Sequence, residues 1–279
     1  MSNVLVDCTW LSKHLGDKDL VLLDAFMLNV VGKEPIEYSE FVTIPGALPF
    51  DIENDFCNNE SSQLHALPTA QQFTKNAQKL GINKQSTIVV FDNQGIYSAP
   101  RAWWTFKVMG FDNVKVLDGG LPAWIEKGYP TSHAYSKIVG RGDFVANYES
   151  NKVTDYQRVL AELNNPKQLV VDARGRARFN AEVAEPRPGV RAGRIPNSVN
   201  LPFASLMEGN GFKSKQALLQ LFSDIGSEDS ERLVFSCGSG ITACILILAA
   251  HEMGLSNTIL YDGSWAEWGA NEALPLEVE

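Results

Sequence analysis

Short apolar runs alternate with longer amphipathic segments along this chain. The runs LVLLD (20–24), TIVVF (87–91), LVVD (169–172) and LVFS (233–236) are rich in Val, Ile and Leu. Strands of this composition are typical of parallel sheets whose two faces are both covered by helices. The alternation of such strands with helices therefore predicts an α/β fold, in which ligands bind beyond the carboxyl ends of the strands.

This order of elements occurs twice along the chain. Segment 87–128 resembles segment 232–272, and both contain an Asp-Gly pair followed by a tryptophan. Equivalent residues are 144 or 145 positions apart, as in three pairs: Asp118 and Asp262, Trp124 and Trp268, and Gly95 and Gly240. An internal repeat of this kind indicates that one fold is present in two copies. We therefore predict two tandem domains, 1–135 and 153–279, each a mainly parallel sheet flanked by helices, with residues 136–152 as a connector.

The net charge, the apolar runs and the cysteine spacing exclude several kinds of binding partner. The 279 residues include 33 acidic and 24 basic side chains, a net charge of -9, which argues against nucleic acid as a partner. The longest apolar run, ITACILILAA, is too short to span a membrane, and the amino terminus lacks the pattern of a signal peptide. The four cysteines show neither metal-ligand spacing nor a disulfide framework. We expect a protein of the reducing cytoplasm, without a metal or other cofactor.

One cysteine, Cys237, lies in a sequence pattern that is typical of a reactive thiol. Cys237 follows an apolar strand and precedes Gly238, Ser239 and Gly240, after which an apolar helix begins. A loop of small residues lets backbone amides converge on one point, and the helix N-terminus stabilises a thiolate there. Subtracting the repeat offset of 145 from 237 gives Asp92 as the counterpart in the first copy. The first domain therefore lacks the thiol, and we predict that it is catalytically silent.

These features resemble the two-domain rhodanese family of sulfurtransferases. The resemblance covers nearly the whole chain: the LLDA and VVDAR strands, the two IP turns, the Cys237 loop and both DG…W endings. It implies that Cys237 takes up sulfane sulfur as a persulfide and passes it to a nucleophilic acceptor. The loop CGSGIT (237–242) is similar to that of the branch that uses 3-mercaptopyruvate and releases pyruvate. The thiosulfate-using branch carries basic residues directly after the cysteine, where this chain has Gly238 and Ser239.

The resemblance also implies roles for residues outside the loop. Arg178 and Arg187, in an arginine-rich stretch, are expected to bind the carboxylate of the donor, since arginine forks match carboxylates. Ser239, His65 and Glu53 are expected to form a proton relay, although a histidine in a loop is more often simply exposed. Loop residues Gly238, Gly240, Ile241 and Thr242 are expected to surround the persulfide.

The remaining arginines and cysteines are expected to have other roles. We expect Arg174 and Arg194 to have structural roles, either pairing with acids such as Asp172 or Glu185 or capping helix ends. We expect Arg176 and Arg191 to be solvated. We also expect Cys8 and Cys244 to be structural, and Cys57 to lie in a polar loop where it can be oxidised. The recurring tryptophans favour packing roles.

Other functions are weighed against this one. Thiosulfate sulfurtransferase is the alternative donor specificity. A cysteine phosphatase needs an arginine six residues after its cysteine, and that position is Ala243. A non-catalytic binding module would not need the intact loop. The expected partners are a small-molecule sulfur donor and an acceptor that is a thiol, cyanide or a thioredoxin-like protein, with neither nucleic acid nor membrane.

Overall fold

The computed structural model describes residues 4–278, which divide into two compact units. The first unit contains residues 4–59, 67–149 and 208–212, and the second contains residues 60–66, 150–207 and 213–278. Each unit is therefore built mainly from one half of the chain, and each also includes a short segment from the other half.

The first unit is a five-stranded parallel sheet with helices between its strands. Its elements are β1 (Leu5–Val6), α1 (Cys8–His14), β2 (Leu20–Asp24), β3 (Leu48–Pro49), α2 (Ala70–Lys79), β4 (Thr87–Phe91), α3 (Ala99–Val108), β5 (Val114–Leu117) and α4 (Gly120–Glu126). The strand order is β1-β5-β4-β2-β3, so β4 is central, and its last four residues are fully buried because both faces are covered.

The second unit has the same architecture. Its elements are β6 (Val153–Thr154), α5 (Tyr156–Ala161), β7 (Gln168–Asp172), α6 (Arg176–Phe179), β8 (Val199–Asn200), α7 (Lys215–Asp224), β11 (Arg232–Ser236), α8 (Ala243–Met253), β12 (Thr258–Tyr261) and α9 (Ser264–Trp268). Between β8 and α7 the chain also forms β9 (Met207–Glu208) and β10 (Gly211–Phe212), and residues 208–212 of this segment belong to the first unit. The sheet order is β6-β12-β11-β7-β8, with β11 central, while β9 and β10 form a separate two-stranded hairpin. The predicted α/β fold with two parallel sheets is confirmed.

The repeat extends to individual hydrogen bonds. The side chains of Asp7 and Asp155 accept the backbone N–H groups of Trp10 and Arg158 and so begin α1 and α5 in the same way. The indole N–H groups of Trp124 and Trp268 donate at 2.7 Å to the carbonyls of Pro130 and Pro275, respectively. Both tryptophans are fully buried, as are the large side chains Trp103, Trp104 and Trp265, which agrees with the predicted packing roles.

Most of the predicted connector packs in the first unit. The backbone N–H groups of Gly142 and Phe144 donate to the carbonyls of Gln78 and Ile82, and residues up to Glu149 are grouped with this unit. Phe144 is buried against the ring of Phe73. Irregular sequence here is therefore ordered by backbone pairing rather than by an apolar period. None of the helices within residues 4–278 has the length and apolar character needed to cross a membrane.

Candidate active site

The Cys237 loop lies at the carboxyl end of the central strand of the second unit. Strand β11 ends at Ser236, and α8 begins at Ala243. Gly240 has a φ of 81°, in the left-handed region that glycine adopts without strain, and this turns the loop back. The Gly240 N–H then donates to Cys237 Sγ at 3.1 Å. A backbone amide and the N-terminus of α8 both favour negative charge at this sulfur.

The loop is held from two sides. The N–H groups of Trp265 and Ala266, in α9, donate at 2.9 Å to the carbonyls of Cys237 and Gly238. From the first turn of α8, the Cys244 thiol donates to the Gly240 carbonyl at 3.3 Å. Cys244 is fully buried, as expected of a structural cysteine. These bonds fix the peptide groups of the loop, and the orientation of the Gly240 amide follows from them.

Two of the predicted loop residues complete its wall. Ile241 and Thr242 are both buried, and their carbonyls accept the first hydrogen bonds of α8, from Cys244 and Ile245. Ser239 is also buried. The loop is therefore enclosed, and Cys237 itself is 1% exposed, which limits access of water to its sulfur.

The structure brings Arg178 and Arg187 to the loop. A Cβ built on Gly238 would lie 3.2 Å from Arg178 Nη2 and 3.7 Å from Arg187 Nη1. Glycine at this position therefore lets both guanidinium groups approach the backbone. Arg178 also pairs with Glu185 through two nitrogens, with Nε at 3.1 Å from Oε1, and this fork fixes its direction. An anion beside Gly238 would meet two positive charges.

Behind Arg178 lies a buried ionic network. Arg174 donates to both carboxylate oxygens of Asp172, to Glu185 Oε1 and to the Gly193 carbonyl, and its guanidinium stacks on Trp265 at 4.5 Å. Arg174, Asp172 and Glu185 have side chains at most 3% exposed. Because Glu185 bonds to both Arg174 and Arg178, the buried network orients the arginine that faces the loop. The structural role predicted for Arg174 is confirmed.

Three other arginines lie away from the loop. Arg194 pairs with Glu277 and lies over the Phe179 ring, which agrees with a structural role, and Arg176 is exposed as expected. The prediction that Arg191 is solvated is wrong. Arg191 is half-buried and donates to several carbonyls that follow α9, of Trp268, Gly269, Asn271 and Leu274. Carbonyls at and after the end of a helix lack intrahelical N–H partners. The guanidinium group of Arg191 supplies hydrogen-bond donors to these carbonyls.

His65 lies next to Ser239. Residues 60–66 belong to the second unit, and His65 Nδ1 is 2.9 Å from Ser239 Oγ. Gln63, two residues earlier, donates to Asp262 Oδ2 at 2.7 Å, which anchors this segment. His65 has a φ of 53°, rare for a residue with a side chain. Glu53 lies half-buried in the first unit, with its backbone N–H donating to Asp51, and its place in a relay stays a prediction.

The counterpart loop of the first unit has a different content. Asp92 is fully buried, and its carboxylate accepts four backbone N–H groups, from Gln94, Tyr97, Ser98 and Ala99, at 2.8 to 2.9 Å. The loop therefore holds an anion supplied by its own chain. The sequence predicted the absence of a nucleophile here, but not this arrangement. The signal that could have indicated it is aspartate itself, since a short carboxylate readily accepts amides two residues on.

The thiols of Cys8 and Cys57 are buried in the first unit. The sequence placed Cys57 in a polar loop open to oxidation, and this is wrong: Cys57 is 4% exposed, and its carbonyl accepts a bond from Gln72. The preceding residue, Phe56, is buried as well. Cys8 is also buried, and burial raises the pKa of its thiol. Within residues 4–278, no cluster of three or more His, Cys, Asp or Glu side chains is arranged to hold a metal ion.

Comparison with known proteins agrees with this architecture. The rhodanese-like domain model matches residues 7–127 and again residues 155–271. The 3-mercaptopyruvate sulfurtransferase of Escherichia coli strain K12 is 35% identical over 274 residues, 98% of this chain and 97% of the relative. An Arabidopsis thaliana protein named thiosulfate/3-mercaptopyruvate sulfurtransferase 1, mitochondrial, is 34% identical, covering 99% of this chain and 78% of the relative.

A solved structure gives the same result. The crystal structure of SseA from Escherichia coli, described under the rhodanese fold and the catalytic mechanism of 3-mercaptopyruvate sulfotransferases, superposes with a TM-score of 0.83 at 32% identity. That match covers 95% of this chain and 99% of the other. Two matched domains, and relatives of this similarity over 78 to 99% of their lengths, show that the chain belongs to the rhodanese family of sulfurtransferases.

Proposed function

We propose that this enzyme transfers the sulfur of 3-mercaptopyruvate to Cys237 and from there to an acceptor, with release of pyruvate. The observation that carries the proposal is the position of Arg178 and Arg187 beside Gly238, next to a cysteine whose sulfur accepts a loop amide. A donor with a carboxylate two carbons from its sulfur can meet both features at once. The relatives named for this donor match over their full lengths and support the same choice.

The first step joins the donor sulfur to the enzyme. The Cys237 thiolate attacks the sulfur of mercaptopyruvate, an S–S bond forms, and the C–S bond breaks. The electron pair of that bond passes to the carbon beside the keto group as an enolate. A proton then converts the enolate to pyruvate, and Cys237 is left as a persulfide. No external oxidant or reductant is needed, because the sulfur atom moves without its bonding pair.

The proton must move from the donor thiol to this carbon. The 2.9 Å approach of His65 Nδ1 to Ser239 Oγ supports a relay in which Ser239 and a neutral His65 pass it, with Glu53 orienting the imidazole. The persulfide formed next carries charge on its outer sulfur. Amides of residues 238–242 and the N-terminus of α8 favour that charge.

The second step discharges the persulfide. A thiol or cyanide attacks the outer sulfur, and we propose a thioredoxin-like dithiol as the protein acceptor because its second thiol resolves the mixed disulfide within one molecule. Thiol chemistry of this kind suits a reducing compartment, and we therefore propose a cytoplasmic location. The four cysteines are free thiols, which agrees with such a compartment.

Thiosulfate is the alternative donor. Gly238 and Ser239 carry no charge, but the guanidinium groups of Arg178 and Arg187 lie near Gly238 and give the loop cations that its sequence lacks. A relative whose name includes both donors is also present. The two donors differ in where the arginines act: on a distant carboxylate for mercaptopyruvate, and on the sulfonate next to the transferred sulfur for thiosulfate.

Replacing Arg187 tests this assignment. Losing one charge-assisted hydrogen bond of about 2–3 kcal/mol predicts a fall of about 30- to 150-fold in kcat/KM for mercaptopyruvate in Arg187→Ala. Arg176→Ala, which removes an exposed arginine of the same stretch, is the matched control and should keep wild-type values.

Steady-state kinetics with both donors are the measurement, together with intact mass after donor alone. The enzyme should gain the mass of one sulfur atom on Cys237. A wild type that prefers thiosulfate, or an Arg187→Ala variant that keeps the wild-type kcat/KM for mercaptopyruvate, contradicts the assignment to mercaptopyruvate. A binding module would carry no cyanide-labile sulfur at all.

A further inference from the structure

Ser264 has an unusual backbone conformation directly beside Cys237. It is fully buried at the start of α9, and its φ is 51°, in the left-handed region. Among residues 4–278, positive φ at a non-glycine residue occurs at four positions: His65, Ala181, Asn197 and Ser264. Such a conformation costs free energy and persists where surrounding structure holds it, which is common at functional sites.

The counterpart in the first unit is a glycine. Subtracting the repeat offset of 144 from 264 gives Gly120, whose φ is 55°. A Cβ on Gly120 would lie 2.4 Å from the Gly95 carbonyl oxygen and 2.6 Å from that of Asp92, so only glycine fits there. The turn therefore favours glycine in both copies, and the second copy has serine in spite of the strain.

The hydroxyl of Ser264 makes two hydrogen bonds that a glycine at this position could not make. Ser264 Oγ accepts the Cys237 N–H at 3.2 Å and donates to the Tyr261 carbonyl at 2.9 Å. The next residue, Trp265, donates its N–H to the Cys237 carbonyl at 2.9 Å. The two peptide groups flanking the Cys237 Cα are therefore both bonded to one turn, and glycine at 264 would leave one of them without its partner.

We propose that Ser264 is a positioning residue for the nucleophile. Fixing both peptide groups of Cys237 fixes the direction of its Cα–Cβ bond, and with it the 3.1 Å approach of Sγ to the Gly240 N–H. Ser264 does not contact the donor and acts only through Cys237. The inference rests on the proposed function in one respect, the identity of Cys237 as the nucleophile.

Two substitutions separate strain from positioning. Ser264→Gly removes the hydroxyl and relieves the strain, whereas Ser264→Ala removes the hydroxyl and keeps the strain. We expect Ser264→Gly to have the higher thermal midpoint of the two. We expect both to lose about 10-fold in kcat with mercaptopyruvate, equivalent to about 1.4 kcal/mol, with KM within twofold of wild type. Asn197→Gly relieves the same kind of strain at an exposed turn and should keep the wild-type kcat.

A second readout does not depend on the donor. The rate at which methyl methanethiosulfonate labels Cys237 at pH 7, followed by peptide mass spectrometry, should fall about 10-fold in both variants. This readout applies even if mercaptopyruvate is not the donor, so failure of the proposed function and failure of this inference are distinguishable.

Three outcomes would overturn the role of Ser264. The first is a Ser264→Gly variant with wild-type kcat and labelling rate. The second is a loss confined to Ser264→Ala, which would assign the effect to strain alone. The third is failure of both variants to fold, which would make Ser264 a structural residue.

Discussion

In the first unit, β4 ends at Phe91 and the next residue is Asp92; in the second, β11 ends at Ser236 and the next residue is Cys237. Both loops bend through a glycine of positive φ and lead into a buried helix. The aspartate fills its loop with a carboxylate that accepts four backbone N–H groups, whereas the sulfur of the cysteine accepts the Gly240 N–H at 3.1 Å. The same backbone thus binds an internal anion in one copy and is available to a bound one in the other.

The segments that contact the two loops also differ between the units. In the first unit, Lys33 Nζ donates to the Gln94 carbonyl, the Ile36 N–H donates to Gln94 Oε1, and the Tyr38 hydroxyl donates to the Asn93 carbonyl. These bonds tie residues 31–38 to the Asp92 loop. In the second unit, the equivalent region brings arginine side chains to Gly238 instead. The Asp92 loop is therefore closed by specific contacts, and the absence of a thiol is only part of the difference between the two loops.

Exchanging the two loop residues tests this comparison with the largest expected effect. Cys237→Asp should lose at least about 10⁴-fold in turnover because the nucleophile is gone, yet keep or raise its thermal midpoint as the carboxylate accepts loop amides. Asp92→Cys should lose about 3 kcal/mol of stability, since buried amides lose a charged acceptor.

The double variant Cys237→Asp with Asp92→Cys is the decisive control. It carries a cysteine after a central strand, but the contacts of residues 31–38 should keep the new thiol without activity. Turnover and chemical denaturation are the measurements. Sulfurtransferase activity in the double variant would show that the first loop needs only a thiol.

The two units also differ in the partners of a buried carboxylate at the end of a strand. Asp172 ends β7 and pairs with the guanidinium of Arg174, whereas Asp24 ends β2 and accepts the hydroxyl groups of Thr43 at 2.8 Å and Tyr135 at 3.3 Å. Burial raises the pKa of Asp24 to about 7, with a further contribution from the charge of Asp92. Removing the Asp172 charge should cost about 3 kcal/mol in Asp172→Asn, because Arg174 loses a buried partner.

Asp24→Asn should instead increase the stability of the protein, and the size of this increase should depend on pH. A folded pKa above the unfolded value means that the folded state binds the proton more tightly. Stability therefore falls as pH rises from about 4 to about 7, and the full penalty is present above that range. Urea denaturation should show Asp24→Asn about 2 kcal/mol more stable than wild type at pH 8, with little gain at pH 4. A gain of the same size at both pH values would contradict an ionised Asp24.

The last of these predictions concerns His65, the histidine next to Ser239 in the second unit. His65→Asn keeps a residue that tolerates the left-handed backbone and removes the imidazole. Turnover of mercaptopyruvate should fall about 100-fold, as for loss of a general acid–base group, while thiosulfate, whose transferred sulfur carries no proton, changes less than threefold. His133→Asn, at an exposed histidine, is the matched control. Equal losses with both donors would contradict a proton relay.

The sequence contained enough to predict the fold and the centre of the site. Strand composition, the repeat offset and the glycines around Cys237 each report on local backbone, and local backbone is where sequence patterns are most informative. The pairing of Arg174 with Asp172 was accessible for the same reason, since the two residues are two apart.

Contacts between distant residues were not accessible in this way. Arg191 was misjudged because its acceptors are carbonyls 77 to 83 residues later in the chain. Ser264 carried no signal until its φ and its bond to Cys237, 27 residues earlier, were known. The proximity of His65 to Ser239 spans 174 residues, and no periodicity encodes such a distance.

Residues 60–66 have a consequence for the history of this chain. A duplicated gene usually leaves one copy free to decay or to be deleted once its chemistry is lost. Here the second unit includes His65 and Gln63 from the half of the chain that contains Asp92, and the first unit includes residues 208–212 from the other half. Deletion of either half would remove a part of the other. Selection for sulfur transfer therefore preserves both halves of the chain, because each half contributes residues to the unit built mainly from the other.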